Sequence, residues 1–133
     1  MRVFIYYNLH RHVWSVKALT GPKKGRVIMH AVTVTLVDAV PKVSEAGRQR
    51  VIQERRKNVH AGIVGTLESV SQNRTQRPTG YARASYNPYK GETFYFTDFA
   101  EGHAVPESLA PLEWHAVDTA PHVVMSGRDV WVA

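Results

Sequence analysis

The chain has 133 residues, no cysteine and a formal net charge of +6, which predicts one soluble domain with its own hydrophobic core. The absence of cysteine excludes disulfides, thiolate metal sites and cysteine nucleophiles, and it fits the reducing environment of a cytoplasm. Residues 1–7 lack the features of a secretory signal, and no stretch reaches the roughly 20 apolar residues that span a bilayer. We therefore expect a cytoplasmic protein without a membrane partner.

The N-terminal part of the chain predicts a three-stranded antiparallel meander. Residues 2–8 and 13–19 alternate as strands do, with Val3, Ile5 and Tyr7 set against Phe4 and Tyr6 in the first strand. A loop of about five residues between them favours a hairpin. After a turn at residues 21–25, the β-branched residues of segment 26–37 predict one long third strand, and Pro41 marks the exit from it.

The next segment predicts the main helix. Ser44 is a good N-cap, and we expect the helix to run to about His60. At 100° per residue, Arg48 and Arg55 share a face with the apolar residues Val51 and Ile52. Because a buried guanidinium needs a partner, these two arginines are predicted to face a groove that holds an anion. The alternative is an ordinary solvated helix whose arginine stems lie over the sheet.

The second half of the chain predicts further strands and two loops. Residues from Ala61 are strand-like, residues 71–80 form a mobile polar loop, and residues 81–86 and 93–96 form a second hairpin. Segment 97–121 is acidic and loop-rich, and residues 122–125 and 130–132 form a last hairpin whose exposed edges leave a homodimer open. The predicted fold is a single α+β domain over residues 1–133, with an antiparallel sheet and one main basic helix.

Charge is distributed unevenly along the sequence. Residues 1–90 carry a net charge of +12, whereas residues 91–133 carry −6. Such asymmetry indicates a polyanion-binding face that an acidic region opposes or masks. The alternative is that the two regions pack together and neutralise each other.

A nucleic acid or another polyanion is the predicted partner, bound without strong sequence preference. Aromatic and basic residues around the second hairpin suit base stacking, although Tyr81 and Tyr86 could equally be half-buried strand aromatics. The candidate residues on the helix are Arg48, Arg50, Arg55, Arg56 and Lys57, of which Arg50, Arg56 and Lys57 point outward. The candidates elsewhere are Lys23, Lys24, Arg26, Arg74, Arg77, Arg83, Tyr86, Tyr89 and Lys90.

Enzyme chemistry has only weak support in the sequence. His60 could act as a general base beside Arg48 or Arg55 in a metal-independent ribonuclease, but a structural histidine is the simpler interpretation. His10 and His12 could present two imidazoles to a metal, and His30 could approach from the third strand. No firm third ligand can be named, however. We therefore lean towards a non-enzymatic protein and expect neither a metal nor another cofactor.

Four segments of the chain resemble small uncharacterised basic proteins that are encoded by bacteriophages and prophages. They are residues 2–10, 42–51, 56–62 and 86–90, and the resemblance covers roughly the first two-thirds of the chain. It implies an accessory protein that acts inside an infected bacterium, and it brings no catalytic residues with it. In that setting a second hypothesis is an inhibitor of a host or defence factor, which would use the acidic segment 98–118 or exposed Trp114 and Trp131 as its contact.

Overall fold

The residues that the structure describes form an antiparallel β structure with one short helix. The computed structural model describes residues 1–55, 59–89, 94–98 and 116–133. Within these ranges the elements are β1 Arg2–Asn8, β2 Val13–Ala18, β3 Val27–Ala31, β4 Thr33–Val43, α1 Glu45–Glu54, β5 Ala61–Ser71, β6 Ala82–Ala84, β7 Phe94–Asp98, β8 Ala116–Val117, β9 Ala120–Ser126 and β10 Asp129–Val132. The predicted α+β class with a main basic helix is therefore wrong.

The strands form one sheet in the order β3-β2-β1-β5-β4-β9-β10-β6-β7-β8. Only Val32 separates β3 from β4, so Ala31 and Thr33 lie within about 7 Å of each other. Three strands nevertheless stand between β3 and β4 in the sheet order, so the first five strands must curl until β3 returns to β4. The amide of Val32 donates to the carbonyl of Ser71, at the end of β5, over 3.1 Å. The single strand predicted for residues 26–37 is thus two strands that meet at a bend.

The hydrophobic core lies inside this curl. Trp14 is fully buried, and its ring meets those of Tyr7 and Tyr86 edge to face, with both centroid distances at 5.1 Å. Residues from every part of the sheet join the same cluster: Val3, Ile5, Val16, Val34, Leu36, Ile63, Phe94, Val123, Met125, Val130 and Val132. One core therefore serves the described chain from β1 to β10.

Helix α1 is an insertion in the connection between β4 and β5. These strands pair up to Val43 and Ala61, so the chain leaves the sheet after Val43 and re-enters it directly opposite, at Ala61. The predicted N-cap is confirmed, since the Ser44 side chain accepts from the Gly47 amide over 3.2 Å. The helix ends sooner than predicted, at Glu54, because Arg55 adopts a left-handed conformation and the chain must turn back to begin β5.

The apolar stripe that we expected on this helix is not buried. Gly47 is its buried residue, and Ile52 is 63% exposed. The expectation that Arg48 and Arg55 lie in a buried apolar face is therefore wrong. The helix lies on the surface of the protein rather than against the core.

Pro41 lies inside β4 and does not end it. Proline cannot donate a ladder hydrogen bond, so it is tolerated where one side of a strand has no partner. The pairing of β4 with β9 stops at Ala39 and Ala120, before Pro41 is reached. The strand therefore continues through the proline to Val43 with β5 as its neighbour.

Three predicted hairpins are confirmed: β1 with β2, β6 with β7, and β9 with β10. The last hairpin has no exposed edge, because β9 also pairs with β4 and β10 with β6. The homodimer edge expected there is therefore wrong. Most of the predicted acidic segment 97–121 lies outside the described residues. In the part of the chain that the structure describes, no helix is long and apolar enough to cross a membrane.

Hydrogen bonds hold the polar loop at residues 71–80 to the sheet. The Thr33 hydroxyl donates to the Asn73 carbonyl over 2.7 Å, and the Thr75 amide donates to the Ser126 hydroxyl over 2.9 Å. Thr33 and Ser126 are themselves buried and hydrogen bonded to each other at 2.7 Å. The loop therefore crosses the junction of β4 and β9.

Candidate functional site

A groove of about 440 Å³ lies between helix α1 and the outer face of β1, β2 and β3. We call it the helix groove. Strand residues form one side, and the start of the helix together with the segments around residues 59 and 89 forms the other. Its lining is Phe4, Tyr6, Asn8, Leu9, His10, Lys17, Gly25, Val27, Ser44, Ala46, Gly47, Arg50, Val59 and Tyr89.

Aromatic rings form the floor of the helix groove. Side chains alternate across a strand, so Phe4 and Tyr6 face outward while the buried residues Val3 and Ile5 face the core. The two outward rings lie 6.2 Å apart and are tilted by 43°. Gly62 makes room for the Phe4 ring, since a Cβ there would lie 2.6 Å from Cζ of Phe4. The floor therefore depends on a position in β5 that has no side chain.

His60 and Tyr89 stand together on the opposite side. The amides of His60 and Ala61 both donate to the Pro88 carbonyl over 3.0 Å, and the rings of His60 and Tyr89 lie 6.3 Å apart. A Cβ at Gly47 would lie 3.0 Å from the Cβ of His60, so a glycine lets the helix approach. These contacts fix Tyr89 beside the start of α1.

The charged residues in the described lining are basic. Lys17 pairs with Phe4 in the ladder between β1 and β2, and Arg50 is exposed on the helix. No aspartate or glutamate occurs among the lining residues that the structure describes. Gly25 belongs to the turn between β2 and β3, so this turn borders the helix groove. The turn also contains Lys23, Lys24 and Arg26, which are all exposed. A concave surface lined by one sign of charge attracts ions of the other sign.

One end of the helix groove is shaped by Asn8. Its side-chain oxygen accepts from the amides of His10 and Arg11, both over 3.0 Å, which is an Asx-type turn. Its side-chain nitrogen donates to the Ser15 hydroxyl over 3.4 Å, and that hydroxyl is 3.1 Å from Nδ1 of His30. The described residues contain no group of three or more side chains placed to hold a metal ion.

The structure places the predicted helix residues differently from the sequence interpretation. Arg48 is exposed and pairs with Glu45 at 3.6 Å, and Arg55 lies at the far end of the helix, about 12 Å along its axis from Gly47. Neither residue lines the helix groove, whereas Arg50, predicted to point outward, does. His60 packs at the start of the helix, so Arg55 does not converge on it. Arg56, Lys57 and Lys90 lie outside the described residues.

Arg74, Arg77 and Arg83 belong to a separate surface. Arg83 and Arg74 both pair with Asp129 of β10, the second over 3.6 Å. Arg74 and Arg77 line a shallow depression there together with Asp129 and Trp131. One acidic residue of the C-terminal region thus neutralises part of the basic charge, as the alternative interpretation of the charge asymmetry proposed.

Tyr86 has an internal role. Its hydroxyl donates to the Ala61 carbonyl over 2.8 Å and accepts from the Tyr7 amide over 3.0 Å, while its ring packs on Trp14. Burial raises the pKa of the Tyr86 hydroxyl well above its usual range, against the opposing effect of the bond from Tyr7. Tyr86 therefore ties β1 to β5 and does not offer its ring for stacking.

Sequence reasoning did not select Phe4, Tyr6 or Lys17 as site residues. A signal was present, because β1 carries large apolar side chains on both of its faces and one face of a surface strand is usually polar. The second aromatic face indicates that something covers or uses that side of the strand.

Comparison with known proteins identifies relatives of this chain. The family model described as "Mycobacterium phage L5 gene 82 protein" matches residues 1–110. The Gene 82 protein of Mycobacterium phage L5 is 48% identical over an alignment of 100 residues, which covers 71% of this chain and 76% of that protein. No solved structure matches the chain. The resemblance to phage proteins that we drew from the sequence is confirmed.

Proposed function

The chain belongs to the family of the Mycobacterium phage L5 gene 82 protein, and on that premise we propose that it is a non-enzymatic phage accessory protein that binds nucleic acid in the helix groove. The proposal keeps the partner predicted from the sequence and moves the binding surface. Arg50 and Lys17 take the place of Arg48 and Arg55 as the central phosphate contacts.

The proposal depends on one observation, which is that basic and aromatic residues line the same concave surface. Lys17 and Arg50 line it, the basic turn with Lys23, Lys24 and Arg26 borders it, and aromatic rings form its floor. Phosphates supply most of the attraction between a protein and a nucleic acid, and aromatic rings supply stacking surfaces for bases. A groove with both features accommodates both parts of a nucleotide.

The catalytic alternative receives no support from this geometry. A ribonuclease would need its base and its phosphate-stabilising group within reach of the same phosphate. His60 lies under the start of the helix, Arg55 ends the helix, and Arg48 pairs with Glu45 outside the helix groove. The binding proposal therefore assigns His60 a structural role beside Tyr89.

The inhibitor hypothesis also receives no specific support. Trp131, one of its two predicted anchors, is only 6% exposed, and Trp114 lies outside the described residues. A hot-spot anchor must be available to enter a pocket of the partner. We therefore propose nucleic acid as the partner, inside the host cytoplasm.

The test is fluorescence anisotropy with labelled oligonucleotides over a salt series, using the Arg50→Ala variant and Arg48→Ala as its matched control. Both substitutions remove one exposed arginine from the same helix, but only Arg50 lines the helix groove. We expect Arg50→Ala to weaken binding and to reduce the slope of log K against log salt by about 0.7 to 0.9, the value for one phosphate contact. Arg48→Ala should leave both quantities nearly unchanged.

Two results would count against the proposal. Affinity that does not change between low and moderate salt would remove phosphate recognition altogether. Equal losses in the two variants would show that the overall charge, rather than the helix groove, controls binding.

A further inference from the structure

We infer that the helix groove selects single-stranded nucleic acid over duplex; the inference rests on the proposed function and specifies its ligand. The first reason is size. A cavity of about 440 Å³ lies at the lower end of the range that encloses small ligands, about 300–1,000 Å³. It has room for one or two nucleotides of a flexible strand, whereas a duplex would rest on its rim.

The second reason is the position of the aromatic rings. Tyr6 and Tyr89 are half-buried and line the cavity from different elements, so part of each side chain is open to a ligand inside it. Bases of a single strand can turn into such a cavity and stack there. Bases of a duplex are already stacked and paired, and extracting one costs a few kcal/mol.

The third reason is that the outward face of α1 is poorly suited to a duplex. Proteins that read duplex DNA with a helix place it in the major groove and surround it with basic contacts. The described residues of α1 and its cap hold three arginines and two glutamates, and Arg48 already pairs with Glu45, so little basic charge remains for a duplex. Arg50 lines the helix groove instead.

These features assign a role to each part of the groove. Tyr6 stacks a base, with Tyr89 closing over it from the other side, and Lys17 and Arg50 hold the adjoining phosphates. Because the stacking surface is an aromatic face, it accepts any base and predicts little sequence preference. The same chemistry serves single-stranded DNA and RNA.

The test compares four probes by fluorescence anisotropy at one salt concentration: oligothymidine, oligouridine, a duplex of equal length, and an abasic oligonucleotide that keeps the phosphates. We expect the two single strands to bind at least about fivefold more tightly than either the duplex or the abasic strand. Stacking of one base corresponds to about a 5- to 100-fold effect. The abasic probe makes this comparison without altering the protein.

Variants then locate the effect. Tyr6→Leu should weaken oligothymidine binding by about 5- to 100-fold, and it should leave the affinity for the abasic strand unchanged. Tyr81→Leu, a half-buried tyrosine that does not line the helix groove, is the control. If Tyr6→Leu does not fold, Tyr89→Leu tests the same cavity from a segment outside the regular strands.

The outcomes distinguish the selection of single strands from nucleic-acid binding itself. A duplex that binds as tightly as the single strands, with the loss in Arg50→Ala retained, would overturn single-strand selection and leave nucleic-acid binding standing. Equal binding of the abasic and thymidine strands would overturn the stacking role in the same way. Failure of all four probes to bind would overturn both.

Discussion

Tyr86→Phe removes one oxygen atom from the point where β1 and β5 are tied together. That hydroxyl satisfies the Tyr7 amide and the Ala61 carbonyl, and phenylalanine leaves both groups unpaired next to the core. Each unsatisfied buried group costs about 1–3 kcal/mol, so for these two groups we expect a loss of about 2–6 kcal/mol in the free energy of unfolding near pH 8. Urea denaturation followed by tryptophan fluorescence measures it.

The same substitution has a pH signature. The pKa of Tyr86 is raised in the native state by burial, so the native protein keeps a proton that the unfolded chain releases above about pH 10. The stability that Tyr86 contributes is therefore complete below pH 10 and declines as the pH rises. The difference between wild type and Tyr86→Phe should shrink by about 1.4 kcal/mol for each pH unit above 10.

The comparison needs only two pH values and one control. The control, Tyr81→Phe, changes a half-buried tyrosine outside the core cluster, and its difference from wild type at pH 8 should be small. A Tyr86→Phe difference that is the same at pH 8 and pH 11 would refute the reasoning, because it would show that the two hydrogen bonds do not depend on a buried, protonated hydroxyl.

Three further substitutions test other parts of the structure. Gly62→Ala should destabilise the protein by about 3 kcal/mol or more in urea denaturation, since its Cβ would lie 2.4 Å from the Ile5 carbonyl oxygen; a near-neutral result would contradict the close approach of β5 to β1. Ser44→Ala should weaken α1 by about 1 kcal/mol and raise amide exchange there about fivefold, with little change in the melting temperature, whereas a large global loss would contradict the surface position of the helix. The double variant Arg74→Gln, Arg83→Gln should lose about 1 kcal/mol of stability and keep nearly the same affinity for oligothymidine. A loss of affinity as large as that of Arg50→Ala would place binding on the Asp129 surface instead.

Local sequence patterns predicted the strands well because each strand carries its own signal. The alternation in residues 2–8, the turn at residues 21–25 and the N-cap at Ser44 were all legible from neighbouring residues. The three confirmed hairpins join segments that are close in sequence. The information for these elements is local, so a single sequence contains it.

The fold class was misjudged because its determinants are not local. Residues 45–54 have an ordinary helical sequence, but the return of the chain to pair Ala61 with Val43 limits the helix to a short insertion. The bend at Val32 has no glycine or proline to mark it. It is imposed by β2 on one side and by β5 and β9 on the other, and none of these constraints appears in a window around residue 32.

The sequence predicted the kinds of residue that line the helix groove, basic and aromatic, better than it predicted which residues they are. Tyr89 and Arg50 were selected from the sequence and line the helix groove, but Phe4, Tyr6 and Lys17 were assigned only to strands. The position at which the insertion folds back determines which outward-facing side chains of β1 and β2 lie opposite the helix. The close approach at Gly47 and Gly62 decides that, through contacts that periodicity does not reveal.

The bend at Val32 couples two strands of the sheet mechanically. β3 and β4 are joined by a single residue, so a slip of β3 by one position along β2, about 3.3 Å, would pull β4 out of register with both β5 and β9. Movement at the rim of the helix groove, where Val27 of β3 lies, is therefore resisted by the ladders that β4 forms with β5 and β9. A ligand that presses on this rim would meet the stiffness of the whole curled sheet rather than that of one edge strand.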